Sequence, residues 1–142
     1  MKKTVSTAIV ALALCATIIT GCATGGSKLT DEEMIQLQLD KWSQGLIEQD
    51  MDIFLATISE NFSARQAPDK ETLAGFIEQG IEAGYLEEAE VFLEDAQFTI
   101  ENNVCSVYPV DLMSMAGSVA VELTFTKEDG NWLVTGMDID GL

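Results

Sequence analysis

Between residues 31 and 48 the hydrophobic positions recur every three or four residues, which is the period of a helix with one buried side. Thr30 and Glu33 begin this stretch in the pattern of a capping box, in which each side chain accepts from the other residue's backbone N–H. The pattern predicts a first helix over residues 31–48. Its buried stripe is expected to consist of Ile35, Leu39, Trp42 and Leu46.

Two further helices are predicted before the strands begin. Asp50 is placed to cap a short second helix, and Asp69 is placed to cap a third helix directly after Pro68. Gly84 is expected to end the third helix in a left-handed conformation. The positions expected to face inward on these two helices are Ile53, Phe54 and Ile58, and then Leu73, Phe76, Ile77 and Ile81.

From Glu90 onward the hydrophobic residues alternate with polar ones, which is typical of strands with one buried face. Residues 104–110 and 118–126 are predicted strands, and Glu-Asp-Gly-Asn at 128–131 predicts a hairpin turn. A short strand is also expected around Phe62. Helices followed by a run of strands predict an α+β fold, with three N-terminal helices packed on one face of a curved antiparallel sheet.

The beginning of the chain has the arrangement of a bacterial export signal. Lys2 and Lys3 precede an uncharged hydrophobic run that is shorter than a comfortable transmembrane helix and ends as Ile-Thr-Gly-Cys at residues 19–22. This ending resembles the bacterial lipobox, in which the cysteine receives lipid and the signal peptide is removed before it. The resemblance implies lipidation of Cys22, and several acyl chains there would make a stable anchor. An uncleaved membrane helix is the alternative.

The lipobox divides the chain into three expected parts. Residues 1–21 would be the signal peptide, residues 22–29 the lipidated cysteine and a flexible tether, and residues 30–142 one domain. The protein is therefore expected to be exported and lipid-anchored to the cell envelope. Ala23 is not the aspartate that retains some lipoproteins at the inner membrane, so a Gram-negative cell would carry the protein on the periplasmic face of its outer membrane. A single-membrane bacterium would carry it on the outer face of the plasma membrane.

The composition argues against several partners and chemistries. The chain has 24 Asp and Glu against 7 Lys and Arg, so phosphate backbones repel it and nucleic acid is not an expected partner. Cys105 has no disulfide partner once Cys15 and Cys22 are assigned to the signal and the lipid site, and without any histidine it is expected to be an inert buried thiol. Residues 85–95 are rich in Glu and Asp but lack the spacing of a calcium loop, so no metal site is expected. No cofactor is expected either.

Two stretches carry a pattern of aromatic residues around an acidic helix cap and a Gly-containing hairpin. They are KWSQGLIEQDMDIFLATISENFSA at residues 41–64 and LTFTKEDGNWLV at residues 123–134. Both resemble the nuclear transport factor 2-like (NTF2-like, or SnoaL-like) superfamily. The resemblance covers roughly residues 30–140 and implies that the sheet curls around the helices to leave a conical cavity. The candidate pocket residues that it implies are Trp42, Phe54, Phe62, Gln66, Phe76, Tyr108, Met113, Met115, Glu122 and Trp132.

The resemblance also allows an enzyme hypothesis to be tested. Ketosteroid isomerases of this superfamily use a tyrosine donor, a proton-transferring aspartate and a protonated aspartate inside the cavity. The matching positions here fall on Trp42, Gln66 and either Val121 or Glu122. A glutamine cannot accept and return a proton at neutral pH, so isomerase chemistry is not expected.

Three functions remain open at this point. The preferred one is a non-catalytic, membrane-anchored lipoprotein that binds a small apolar or amphipathic ligand in the cavity, with Trp42, Gln66 and Tyr108 supplying polar contacts. The second is a protein-interaction module that forms a homodimer or docks an envelope partner through the open sheet face. The third is an isomerase- or hydrolase-type enzyme that uses Glu122. A cavity filled by Trp42, Met113 and Met115 would favour the second.

Overall fold

The computed structural model describes residues 28–141. The predicted signal peptide, Cys22 and all but the last two residues of the predicted tether lie outside the described residues. Among the helices of the described part, none has the length and hydrophobicity needed to cross a membrane.

Three helices form the first half of the described chain, and each begins at the residue that the sequence predicts. Thr30 and Glu33 form the capping box, while the side chains of Asp50 and Asp69 accept from backbone N–H groups in the first turns of the next two helices. These bonds satisfy N–H groups that have no partner within a helix, so they determine where each helix starts. The helices are α1 Asp31–Ile47, α2 Met51–Ala56 and α3 Lys70–Glu82.

Five strands follow in a single antiparallel sheet with the order β1-β3-β4-β5, in which β2 also pairs with β3. The register shifts between Val107 and Val110 in β3 and between Thr124 and Phe125 in β4, and such irregularities bend a sheet. The predicted α+β architecture, with helices on a curved antiparallel sheet, is confirmed. The strands are β1 Glu90–Phe92, β2 Gln97–Glu101, β3 Val104–Ser114, β4 Gly117–Glu128 and β5 Asn131–Ile139.

The predicted strand around Phe62 is wrong. Phe62 is buried in a loop, and the only strand-like pairing near it within residues 28–141 is an isolated bridge between Ile58 and Val134. Backbone bonds from Ser59 N to Val134 O, at 2.9 Å, and from Ser63 N to Thr135 O, at 3.0 Å, hold this loop along β5. In addition, Ser59 Oγ and Asn61 Nδ2 both donate to the carboxylate of Glu128, at 2.6 and 3.0 Å. The loop is therefore fastened to the β4–β5 hairpin without extending the sheet.

The hydrophobic core lies between the helices and the inner face of the sheet. The largest buried side chains are Trp42 and Phe54 from the helices and Phe125 and Trp132 from the strands. Cys105 is fully buried, as predicted, and burial raises the pKa of its thiol.

Helix α3 covers the sheet less completely than its sequence pattern predicts. Leu73 is fully buried, but Phe76, which was expected to face inward in the same way, is 51% exposed. The physical reason is that space remains between the middle of α3 and the sheet, so Phe76 borders a cavity instead of entering the packed core.

Candidate ligand-binding site

A cavity of about 490 Å³ lies between the helices and the inner face of the sheet. Helices α1 and α2 form one wall, α3 and the turn after it form a second, and β3, β4 and β5 form the third. Its volume lies in the range of sites that bind small molecules. The lining residues are Trp42, Leu46, Phe54, Phe76, Ile77, Gln79, Gly80, Ala83, Tyr85, Leu86, Leu112, Ser114, Ala116, Gly117, Val119, Val121, Met137 and Ile139.

The lining is hydrophobic, and it contains no Asp, Glu, Lys or Arg from the described residues. The side chains with polar atoms in it are Trp42, Gln79, Tyr85 and Ser114. A site of this composition gains free energy when hydrophobic surface leaves water, and it provides few polar contacts to orient a ligand. Over residues 28–141, no group of three or more acidic or cysteine side chains is arranged to hold a metal ion.

Trp42 is the polar group of greatest interest in the cavity wall. It projects from α1, is only 2% exposed and packs on Phe54 of α2, with 6.1 Å between ring centroids and 45° between ring planes. Its indole Nε1 is buried and makes no hydrogen bond to any described residue. Buried indole N–H groups normally have a partner, so Trp42 Nε1 is an unsatisfied donor buried within the cavity wall.

The other tryptophan, Trp132, does not line the cavity, contrary to expectation. Its Nε1 donates to Asp31 Oδ1 at 3.0 Å, and Lys127 Nζ donates to the same oxygen at 2.8 Å. Both hydrogen bonds lower the pKa of Asp31, and the bond from Lys127 has the larger effect. This cluster joins the start of α1 to the β4–β5 hairpin and has a structural role.

Of the ten residues proposed for the pocket, Trp42, Phe54 and Phe76 line the cavity. Phe62 belongs to the packed core, and the side chain of Gln66 is buried without a hydrogen-bond partner in the described part of the chain, away from the lining. Met113 and Met115 are 46% and 66% exposed, so neither fills the cavity.

Tyr108 and Glu122 lie away from the cavity lining, which corrects their placement in the pocket. Tyr108 is 42% exposed and donates to Asp140 Oδ2 at 2.6 Å. This hydrogen bond and the charge of Asp140 raise the pKa of Tyr108. Glu122 is exposed and accepts from Ser106 Oγ at 2.6 Å.

The alternation of side chains along β4 explains the error at Glu122. Successive residues of a strand point to opposite faces, so only one of Val121 and Glu122 can face the helices. The structure places Val121 in the cavity wall and leaves Glu122 exposed, hydrogen-bonded to Ser106. Of the two positions considered for the third isomerase group, the one inside the cavity is therefore a valine.

Several lining residues were not predicted from the sequence. Val119 and Val121 in β4, and Met137 and Ile139 in β5, could have been found, because each pair is two residues apart and shares one face of a strand. Tyr85 and Leu86 have no such signal. They reach the wall because the chain turns back after α3, and that turn depends on packing between distant segments.

Comparisons with known proteins identify the fold. No family model matches the sequence, and no curated protein matches it. An NTF2-like protein of unknown function from Shewanella baltica OS155 superposes with a TM-score of 0.64 at 15% identity, covering 83% of this chain and 100% of that one. The chain has an NTF2-like fold.

Two other solved structures agree with this assignment of the NTF2-like fold. An NTF2-like protein from Shewanella oneidensis MR-1 gives a TM-score of 0.62 at 15% identity, covering 78% of this chain and 98% of that one. An NTF2-like protein from Pseudomonas putida KT2440 gives 0.63 at 12% identity, covering 74% and 82%. Both are described as proteins of unknown function, so the similarity establishes the fold, and the function must be argued from the cavity.

Proposed function

We propose that this protein is a membrane-anchored bacterial lipoprotein whose NTF2-like domain binds a small apolar or amphipathic ligand in the cavity. The observation that carries the proposal is the cavity of about 490 Å³, whose lining is hydrophobic and contains no charged residue from the described part of the chain. A ligand with a hydrocarbon or ring body would bury its surface there, at about 25 cal/mol for each Å² removed from water.

The polar atoms of the wall favour an amphipathic ligand. Gln79, Tyr85 and Ser114 offer neutral polar groups to a ligand. Phe76 and Tyr85 line the cavity and are 51% and 60% exposed, so the cavity is reached from solvent on this side. A ligand could therefore place its hydrophobic body inside and its polar end near this opening.

The same observations favour ligand binding over the two other functions. An interaction module was expected to have its cavity filled, but Met113 and Met115 are exposed and leave the space open. An enzyme that depends on Glu122 needs that carboxylate inside the cavity, whereas it is exposed and bonded to Ser106. The cavity itself is thus the best-supported site of function.

The two tryptophans provide a direct test with 1-decanol as the probe. In a Trp132→Phe variant all tryptophan fluorescence comes from Trp42 in the cavity wall, and in a Trp42→Phe variant it comes from Trp132 outside it. Decanol should shift the emission of the first variant in a saturable manner and leave that of the second unchanged. Equal shifts in both variants, or none in the first, would contradict the proposal.

A cavity-filling substitution supplies the second test. Gly80 and Gly75 both lie in α3, and a side chain added at either position meets no atom within 4 Å at its Cβ, but only Gly80 lines the cavity. Gly80→Leu should weaken decanol binding by about tenfold or more, because the added side chain occupies ligand space. Gly75→Leu is the matched control and should bind decanol as the wild type does.

The membrane anchor is tested by substituting the lipobox cysteine. Cys22→Ala should release the protein from membranes or leave it unprocessed, since the lipobox then lacks the thiol that accepts lipid. Cys15→Ala, within the predicted signal peptide, is the control and should be processed and membrane-bound. Fractionation and mass spectrometry of the N-terminus provide the measurement. A Cys22→Ala protein that is processed and anchored like the wild type would disprove the lipoprotein assignment.

A further inference from the structure

The segment that forms most of the cavity wall contains no positively charged residue. Between Lys70 and Lys127 the sequence has no lysine or arginine, and this segment includes all the lining residues from Phe76 to Val121. Lys70 and Lys127 themselves lie away from the cavity lining, with Nζ bonded to Glu60 at 2.6 Å and to Asp31 at 2.8 Å. A negatively charged group at the cavity would therefore find no cation in this wall.

Carboxylates border the same wall. Glu82 is exposed in the last turn of α3 and directly precedes the lining residue Ala83. Glu87 lies in the turn after α3, and its Oε1 is 3.4 Å from the place where a Cβ would stand on Gly84. Gly84 stands between the lining residues Ala83 and Tyr85, so this carboxylate lies close to the cavity wall without being part of its lining.

Two backbone hydrogen bonds hold Glu87 in place, the first from its own N–H to Gly84 O at 3.2 Å. Its backbone carbonyl accepts from Met115 N at 3.2 Å, which ties the turn after α3 to the β3–β4 hairpin. The neighbours of Met115 on both sides, Ser114 and Ala116, line the cavity. Glu87 thus stands where two walls of the cavity meet, next to the exposed Tyr85.

From this arrangement we infer that the cavity selects amphiphiles by head-group charge, in the order cationic, then neutral, then anionic. The inference rests on the proposed function, because it concerns ligands of that same cavity. The uncharged wall takes the hydrocarbon body, while Glu82 and Glu87 attract a cationic head group and repel an anionic one at the edge. An anionic head group would also lose water without gaining a counter-charge.

The test compares three probes with the same ten-carbon chain: decyltrimethylammonium, 1-decanol and decyl sulfate. Binding is measured in the Trp132→Phe variant from the emission of Trp42, below the micelle concentration of each probe. Decyltrimethylammonium should bind about tenfold more tightly than decyl sulfate at low ionic strength, and the ratio should fall as salt is added. Gly80→Leu should weaken the binding of both, which shows that the measured site is the cavity.

Matched charge variants separate local selectivity from the effect of the overall net charge. The Glu82→Gln/Glu87→Gln double variant should reduce the ratio between decyltrimethylammonium and decyl sulfate severalfold. Glu101→Gln/Glu122→Gln removes two charges from the exposed surface of the sheet, away from the cavity lining, and should leave the ratio close to that of the wild type.

Each outcome distinguishes the inference from the proposed function. Failure of all three probes to bind would overturn the proposed function itself. Equal affinity for decyltrimethylammonium and decyl sulfate, with both blocked by Gly80→Leu, would overturn the charge selectivity and leave ligand binding intact. Equal effects of the two double variants would overturn the assignment of selectivity to Glu82 and Glu87.

Discussion

Trp132 and Trp42 are almost equally buried, but they lie at two ends of the domain that are packed differently. Trp132 is 1% exposed and its Nε1 donates to Asp31, whereas Trp42 is 2% exposed and its Nε1 has no partner in the described residues. The end that contains Trp132 is closed by these side-chain bonds and has a structural role. The end that contains Trp42 borders open space, which suits a ligand.

The closed end gains its order from several contacts on one carboxylate. Asp31 accepts from both Trp132 and Lys127, and Lys127 Nζ lies 6.0 Å from the centroid of the Trp132 ring. These groups hold the first turn of α1 against the β4–β5 hairpin. At the other end, α3 spans the sheet without filling the space beneath it, so the wall around Trp42 remains accessible to a ligand.

The largest effect is expected where α1 and α2 meet behind the cavity. A Cβ on Gly45 would stand 2.6 Å from the backbone N of Phe54, so Gly45→Ala must push the two helices apart. We expect a loss of about 2 kcal/mol in the free energy of unfolding, despite the higher helix propensity of alanine. Urea denaturation measures this. Gly75→Ala, with open space at its Cβ, is the control and should gain about 0.5–1 kcal/mol. A Gly45→Ala protein as stable as the wild type would show that this contact is not required.

The comparison of the two tryptophans is tested by replacing each with phenylalanine. Trp132→Phe should lower the free energy of unfolding by about 1–2 kcal/mol, because it leaves a gap in a packed core. Trp42→Phe should cost less, since the indole borders open space and gives up no hydrogen bond to the described residues. Denaturant titration of both variants gives the two values. Equal losses would remove the distinction between a closed end and an open end.

A smaller effect with a defined pH dependence is expected from Asp31→Asn. Hydrogen bonds lower the pKa of Asp31 in the folded protein below its usual 3.8, so the stability that this carboxylate contributes is present at neutral pH. That contribution is lost as the pH falls through the lowered pKa. Asp31→Asn should therefore reduce the Tm by a few degrees at pH 7, and the difference from the wild type should shrink below pH 3.8.

Glu32→Gln is the control for this pH dependence. It removes a charge from the same first turn of α1, so it changes the interaction with the helix dipole in a similar way. Its difference from the wild type should not follow the pH course of Asp31→Asn. Parallel pH courses of the two variants would indicate a general charge effect in place of the Asp31 cluster.

The smallest effect is expected from Glu122→Gln. Since Glu122 lies away from the cavity lining and bonds Ser106, its replacement should change the affinity for 1-decanol by less than about twofold. Titration of Trp42 emission in the Trp132→Phe background measures this affinity. A strong loss of binding would place Glu122 in contact with the ligand and revive the hypothesis of a functional carboxylate.

Much of the fold could be predicted from the sequence, because the rules involved act over short distances. A cap such as Asp50 or Asp69 depends on N–H groups two or three residues away, and the inward face of β4 depends on strict alternation. The same locality made Cys105 recognisable as a buried residue. These features were confirmed by the structure.

The cavity and its unpaired donor were decided only by the tertiary structure. Whether Phe76 packs or borders a cavity depends on the height of α3 above the sheet, and whether an indole N–H finds a partner depends on what folds beside it. Trp42 and Trp132 are the same residue type in similar hydrophobic surroundings, and the resemblance to the NTF2-like superfamily implied that both line the pocket. Contacts between residues about a hundred positions apart, such as Asp31 with Trp132, separate them, and no local pattern encodes such a contact.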